Sequence, residues 1–507
     1  MNRAKKSFFN VSFGLVNQIV TLLFGLIVPR LFITTFGSEV NGLQSSIAYL
    51  YTYIALLEAG IGMATVQALY SPLAKGSTEG VNAVLAATNI QYRKIAKVYG
   101  LVITVASLIF PLSIKTQLGY FTIAAMFFLS GLSSLVSFLF HGKFVLLLQA
   151  DGRTYVVSIF SLCVYILTNV LKIVLIFCGL HFVFVYCINA VISVAVASFY
   201  YYYRKKNYSW VNYRTTPNMK AISQSNNVVV HQISGVLCNS TDVLVLTYVV
   251  GSLALVSVYN IYLMIFDAIR TIINNIFSSV HFILGQTFNL DVEKYKRYHH
   301  IYEILDMMVS FTLYSIAYIM ITPFLTLYTR GITDIQYIDK FLPLLFVLVK
   351  LLSSCREPAS QLINFAGHFK QTQNRSMIET GINLVVSIVA SYFIGIYGVL
   401  LGTIVALAYR TIDMYIYTST RFLDRSLLVS LWLWIEYMGA FAVVIFVFSH
   451  ITICVESYLQ FFAVCFVIGS IMLLYYFAIT SIFHFDVIRS IWSFANVRIK
   501  QRRGASS

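Results

Sequence analysis

Nine charged side chains stand inside stretches of sequence that are otherwise apolar, and they are the residues best placed to do chemistry. Five are basic (Arg30, Lys172, Arg270, Lys350 and Arg410) and four are acidic (Glu58, Asp242, Asp267 and Asp413). A charge held in hydrocarbon costs about 3 kcal/mol even on the mildest scale, so such residues pair, face water or meet a charged ligand. A sequestered ammonium or guanidinium offers charge and hydrogen bonds to a mobile anion. A sequestered carboxylate can hold a coupling cation, carry a proton or neutralise a neighbouring base. Depth and spacing sort the nine. Arg30 and Lys172 lie about 10 Å from a helix end and can snorkel, whereas Arg270, Lys350 and Arg410 sit nearer the middle of their runs. Asp267 with Arg270, and Arg410 with Asp413, have the three-residue spacing of pairs within one helix. Lys350 and Lys172 have no acid three or four residues away, which marks them for a mobile anion. Glu58 sits beside two glycines in Leu57-Glu58-Ala59-Gly60-Ile61-Gly62. Arg356, Glu357, Glu379 and Glu436 complete the charged set in or near the apolar runs.

Amides and a histidine extend the polar set. Asn227, His231, Gly235, Asn239 and Asp242 recur at steps of four, four, four and three, so they share one helix face. Asn10, Gly14, Asn17, Thr21 and Gly25 make a similar stripe near the start of the chain. Facing lipid would be costly for either stripe, so each lines a water-filled cavity or packs against another helix. The cavity reading makes Asn17, Asn227, His231 and Asn239 lining residues.

Long apolar helices must position these groups. Of the 507 residues 59% are hydrophobic and 11% charged, against about 25% charged in ordinary soluble domains. Hydropathy divides the chain into fourteen spans: 8–36, 42–69, 98–114, 119–142, 154–178, 182–203, 222–250, 253–285, 301–328, 341–363, 376–395, 398–420, 427–448 and 457–483. With the N-terminus inside, 26 of the 35 basic residues fall in inner segments and only 3 in outer ones. That asymmetry predicts both termini on the cytoplasmic side and an even number of spans. The net charge of +16 is therefore topological, supplemented by attraction to anionic lipids, and no soluble basic domain is present to bind nucleic acid. The seven cysteines form no C-x-x-C pair and read as small buried apolar residues. The basic N-terminus with its long apolar run reads as an uncleaved first span.

A weak internal repeat relates Phe36-Gly37-Ser38 to Val250-Gly251-Ser252, 214 residues apart, each leading into a helix rich in tyrosine. On the fourteen-span layout it predicts an all-α polytopic membrane protein with two six-helix lobes around a central cavity, at 1–220 and 221–426. A final pair of spans follows at 427–485, then a basic cytoplasmic tail at 486–507.

Several segments resemble flippases of the Wzx type, in the multidrug/oligosaccharidyl-lipid/polysaccharide (MOP) exporter superfamily. They are Lys5-Lys6-Ser7-Phe8-Phe9-Asn10, Pro29-Arg30-Leu31-Phe32-Ile33 with Phe36-Gly37, Asn41-Gly42-Leu43, Leu57-Glu58-Ala59-Gly60-Ile61-Gly62 and Leu148-Gln149-Ala150-Asp151-Gly152-Arg153. The motifs cover mainly the first third of the chain. The resemblance implies a multi-pass protein of the bacterial inner membrane that moves an undecaprenyl-diphosphate-linked oligosaccharide outward by alternating access, for capsule, O-antigen or exopolysaccharide synthesis. Its partners would be that lipid-linked glycan, membrane lipids and a glycan polymerase or assembly proteins, with no metal and no cofactor. On this view Arg30, Arg270 and Lys350, with Lys172 and Arg410, meet the anionic headgroup. H⁺ or Na⁺ acting through Glu58, Asp242 or Asp267, and the membrane potential, would supply energy. An ion-coupled drug exporter of the MATE kind is the nearer alternative and a membrane glycan polymerase the more distant. No H-E-x-x-H, G-x-S-x-G or P-loop motif occurs to suggest an enzyme.

Overall fold

A computed structural model describes the backbone of residues 3–58, 60–225 and 240–489, and their side chains except at 3–16, 19 and 223–225. Asn227, His231, Gly235 and Asn239, the side chains of Asn10 and Gly14, and most of the basic tail lie outside the described residues. Within them the chain is all-helical. In hydrocarbon every backbone N–H and C=O must be satisfied inside its own segment, and only helices achieve that for such runs.

The helices in order are α1 (Arg3–Phe36), α2 (Ser38–Ile54), α3 (Ile61–Ala74), α4 (Thr78–Ser113), α5 (Tyr120–Ala150), α6 (Thr154–Phe177), α7 (Phe182–Asn207) and α8 (Ser240–Val250). They continue with α9 (Leu253–Leu290), α10 (Val292–Tyr328), α11 (Leu342–Cys355), α12 (Glu357–Phe365), α13 (Phe369–Ile394), α14 (Ile396–Leu423), α15 (Leu427–Phe448) and α16 (Tyr458–Phe483). Each of the fourteen predicted spans therefore contains helix. Among the described residues ten helices are long and apolar enough to cross a membrane, and eleven if the bent pair α2–α3 counts as one span. The other predicted spans coincide with α1, the short α8 and the broken pair α11–α12. The helices expose large apolar side chains such as Leu112 (76%), Phe121 (85%), Phe466 (78%) and Leu459 (83%). Such surface suits lipid.

By internal contacts the chain forms two units, Met1–Asn260 with Ile332–Ile335, and Ile261–Gly331 with Gln336–Ser507. The first has two apolar cores: Phe32, Leu43, Met126 and Phe127 anchor one, and Leu69, Leu85, Phe144 and Leu147 the other. The two segments of the repeat meet within it. The Asn41 amide donates to Ser257 Oγ (2.8 Å), and the Ser46 and Thr247 hydroxyls are 2.7 Å apart. A Cβ on Gly42 would fall 1.7 Å from the Leu253 carbonyl oxygen, so only glycine lets these backbones approach.

In the second unit α13 and α14 pack with the same economy of side chain. A Cβ on Gly398 would lie 2.2 Å from the Ala390 backbone, and one on Gly402 2.2 Å from Ser387 Oγ. Asn383 donates to Thr403 across the contact (2.9 Å). The loop between α10 and α11 is fastened by Asp339, which accepts from the Tyr397 hydroxyl (2.5 Å) and the N–H groups of Phe341 (2.7 Å) and Leu342 (2.8 Å). Partial burial would raise the Asp339 carboxyl, but these three donors together outweigh it and hold the group below its ordinary value.

Candidate functional site

The first unit contains a polar cavity of about 540 Å³ that brings Glu58 and Lys172 to one place. One wall is a face of α6: Phe160, Ser161, Val164, Tyr165, Thr168, Asn169 and Lys172 recur at alternating steps of one and three. Glu58 reaches the cavity because the chain breaks between α2 and α3. Ala55–Glu58 forms a single 3₁₀ turn, and Gly60 takes a left-handed conformation (φ 82°) that a residue with a side chain would adopt only with strain. The motif singled out in the sequence thus ends one helix and starts another, with the carboxylate at the break.

Glu58 accepts a hydrogen bond from the hydroxyl of Tyr92, a buried residue of α4 whose ring packs edge-on against Phe138. A π-helical turn at Ser137–His141 interrupts α5, and Gly142 follows it where a Cβ would lie 2.9 Å from the Tyr92 ring. One extra residue per turn re-aims a side chain, here that of His141, which lines the cavity and stacks on Tyr200 with centroids 5.2 Å apart. Lys172 is half-buried, and among the described residues no carboxylate or hydrogen-bond acceptor holds its ammonium. A cation, a carboxylate and a set of hydroxyl, amide and imidazole groups therefore share one cavity. That set can receive an anion at Lys172 and a proton or small cation at Glu58.

The other predicted residues fall elsewhere. Arg30 is half-buried on α1, with Thr34 Oγ1 donating to its carbonyl (2.9 Å), and Asn17 is exposed on the same helix. Asp242 is buried on α8 and accepts from the Tyr259 hydroxyl (2.7 Å). In the second unit the predicted pairing is half right. Arg410 and Asp413 do pair within α14 (2.7 Å). Asp267, however, takes Lys350 of α11 (2.6 Å) and not Arg270 one turn away, so Lys350 is not the lone cation its sequence neighbours suggest. The reason is tertiary: α9 and α11 bring together residues 83 positions apart, a relation that helical spacing cannot encode. Arg270 is half-buried and has no ion pair among the described residues.

Several pairings escape sequence reasoning. Arg410 belongs to a chain of ion pairs: Arg356 with Glu379 (2.7 Å), Glu379 with Arg410 (3.5 Å), Arg410 with Asp413, and Asp413 with Arg375. The charge pattern counts Lys143, Arg375 and Arg425 among the 26 basic residues of inner segments. Arg425 instead joins the nearly inaccessible Glu303 (2.5 Å), which also accepts from Ser430 (2.8 Å). Lys143 lies inside α5 and is buried, because that helix runs on to Ala150. Glu436, the one charge in the last two spans, pairs with His484 (2.8 Å). The signal that was available is the acid and base content of neighbouring spans; the pairing itself was not.

No family model and no curated protein matches the sequence. Solved structures do match. The lipid II flippase MurJ in an inward closed conformation aligns with a TM-score of 0.68 at 13% identity, over 94% of this chain and all (100%) of that one. An inward-facing MATE-family multidrug transporter of the MOP superfamily gives 0.60 at 16% identity, over 79% and 95%. A MATE transporter of Vibrio cholerae gives 0.55 at 15%, over 84% and 98%. At such identities the likeness speaks for architecture, and the architecture is one in which MATE transporters of the MOP superfamily and the flippase MurJ are this chain's structural neighbours.

Proposed function

We propose that the protein is a flippase that carries an undecaprenyl-diphosphate-linked oligosaccharide from the cytoplasmic to the outer leaflet of a bacterial inner membrane by alternating access. The observation that carries this reading is Lys172, an ammonium at membrane depth that lines a polar cavity and forms no ion pair among the described residues. A diphosphate loses hydration in such a space, and a fixed cation offsets that loss. The membrane potential, about 2.3 kcal/mol per charge per 100 mV, favours outward travel of the anion. Arg270 and Arg30 are further candidates for contact with the headgroup. Lys350 and Arg410 serve their ion pairs first, as do Asp267 and Asp413. Glu58, opening on the same cavity, is the proposed coupling acid, taking H⁺ or Na⁺, and Asp242 is a second candidate. Both termini are placed in the cytoplasm by the basic residues, with a glycan polymerase or assembly proteins receiving the product.

Glu58 also favours a second reading, an ion-coupled exporter of organic cations, for which a carboxylate and aromatic rings are the needed chemistry. The two separate in a strain lacking the chromosomal copy. Wild type, Lys172→Met and Glu58→Gln are supplied at matched membrane abundance, with outward exposure of lipid-linked glycan and efflux of a fluorescent organic cation both measured. The flippase reading expects glycan export to be lost in Lys172→Met with no change in cation efflux. Normal glycan export in Lys172→Met, or cation efflux lost in Glu58→Gln alone, refutes it.

A further inference from the structure

We propose that a second cavity in the first unit, between the end of α5 and the end of α7, binds the phosphate headgroup of a membrane lipid. It holds about 400 Å³ and is separate in its lining from the Glu58–Lys172 cavity except for the shared wall of His141 and Tyr200. Its polar floor is Lys143, Arg204, Ser198 and Tyr213, and its rim includes Phe140 and Val194.

The floor is an uncompensated cluster of positive charge. Lys143 is only 5% exposed, and its ammonium donates to Asn89 Oδ1 (2.8 Å) and the Leu139 carbonyl (3.1 Å), both neutral acceptors. The ring of Tyr213 lies 5.0 Å from the Lys143 ammonium and 5.2 Å from the Arg204 guanidinium, so both cations lean on one aromatic ring. The charges of Arg93 and Arg204 both bear on Lys143. Among the described residues no carboxylate pairs with any of the three. A ring quadrupole attracts cations but does not cancel them, and two cations held on one ring repel. In the second unit Arg356, Arg375, Arg410 and Arg425 are each met by a carboxylate; among the described residues none meets this cluster. An anion completes it. Phosphate suits the donors, because a guanidinium fork and an ammonium supply charge-assisted bonds to several oxygens at once.

The rim identifies the rest of the ligand. Phe140 is 63% exposed and Val194 57%, so the cavity opens onto apolar surface. Tyr201, Tyr202 and Trp210 beside it are also exposed, the residues that collect where headgroups meet hydrocarbon. A cationic floor with an apolar mouth at interfacial depth fits an amphiphile whose phosphate enters first and whose chains stay in the bilayer.

Detergent-purified full-length protein is titrated with phosphatidylglycerol, undecaprenyl phosphate, diacylglycerol and inorganic phosphate, and bound ligand is counted by native mass spectrometry. Wild type is compared with Arg204→Gln, Lys143→Met and a Lys205→Gln/Lys206→Gln control outside the cavity, each checked for its melting temperature. Either phosphate-bearing lipid should bind wild type, with loss of about tenfold in Arg204→Gln, the scale of one charge-assisted bond, and none in the control. Preference for phosphatidylglycerol identifies a resident phospholipid site, and preference for undecaprenyl phosphate identifies a carrier-lipid site; both support the assignment. Equal binding of diacylglycerol, tight binding of inorganic phosphate alone, or unchanged lipid affinity in folded Arg204→Gln overturns it. Arg204 is only half-buried, so that variant tests the site even where Lys143→Met fails to fold.

Discussion

The Lys350–Asp267 pair is asymmetric, and the asymmetry makes a sharp prediction. The Lys350 side chain is 7% exposed and the Asp267 side chain 51%. Asp267→Asn removes the charge from the accessible side and takes the carboxylate from an ammonium that has almost no access to water. Breaking a buried pair in this way costs about 3 kcal/mol. Lys350→Met removes the buried charge and keeps an unbranched stem of similar length in the packing. It leaves a carboxylate already half open, and losing a partner there costs about 1 kcal/mol or less. Adding Lys350→Met to Asp267→Asn takes away the buried charge that has lost its carboxylate, so the double variant should be more stable than Asp267→Asn by about 2 kcal/mol, about thirtyfold in the unfolding equilibrium. Reversible unfolding in mixed micelles, followed by tryptophan fluorescence, measures all four proteins of the cycle. Equal costs for the two single variants, or a double variant less stable than Asp267→Asn, would refute the reasoning. Either result would mean that the buried Lys350 ammonium does not depend on the Asp267 charge.

Two further outcomes follow from packing and titration. Gly398→Ala places a methyl group 2.2 Å from the Ala390 backbone and should destabilise by about 2 kcal/mol through separation of α13 and α14. Gly381→Ala in the same α13 meets nothing within 4 Å and should stabilise by up to about 1 kcal/mol in the same micelle assay. Asp339 has a folded-state value below its ordinary one, so its contribution is full above the unfolded value of about 3.9 and is lost as the pH falls through the lower folded value. The stability difference between wild type and Asp339→Asn, followed by melting temperature, should be constant near neutral pH and shrink below about pH 4.

The sequence by itself determined the elements. Runs of about twenty apolar residues have one conformation that satisfies their backbone in lipid, so the helical segments could be placed without knowing their neighbours. Local chemistry was legible too: the Gly60 break that turns Glu58 inward lies within six residues of sequence, and the Arg410–Asp413 pair lies within one helical turn. Partners across helices were not legible. Lys350 with Asp267, Arg425 with Glu303 and Arg356 with Glu379 are set by which helix faces meet. The apolar faces that drive the meeting are too alike for one sequence to specify it. Tertiary structure thus decided which embedded charges are already spent on one another and which remain for a ligand. Lys350 passed to the first group, while Lys172, with the same sequence credentials, forms no ion pair among the described residues although Glu58 lines the same cavity.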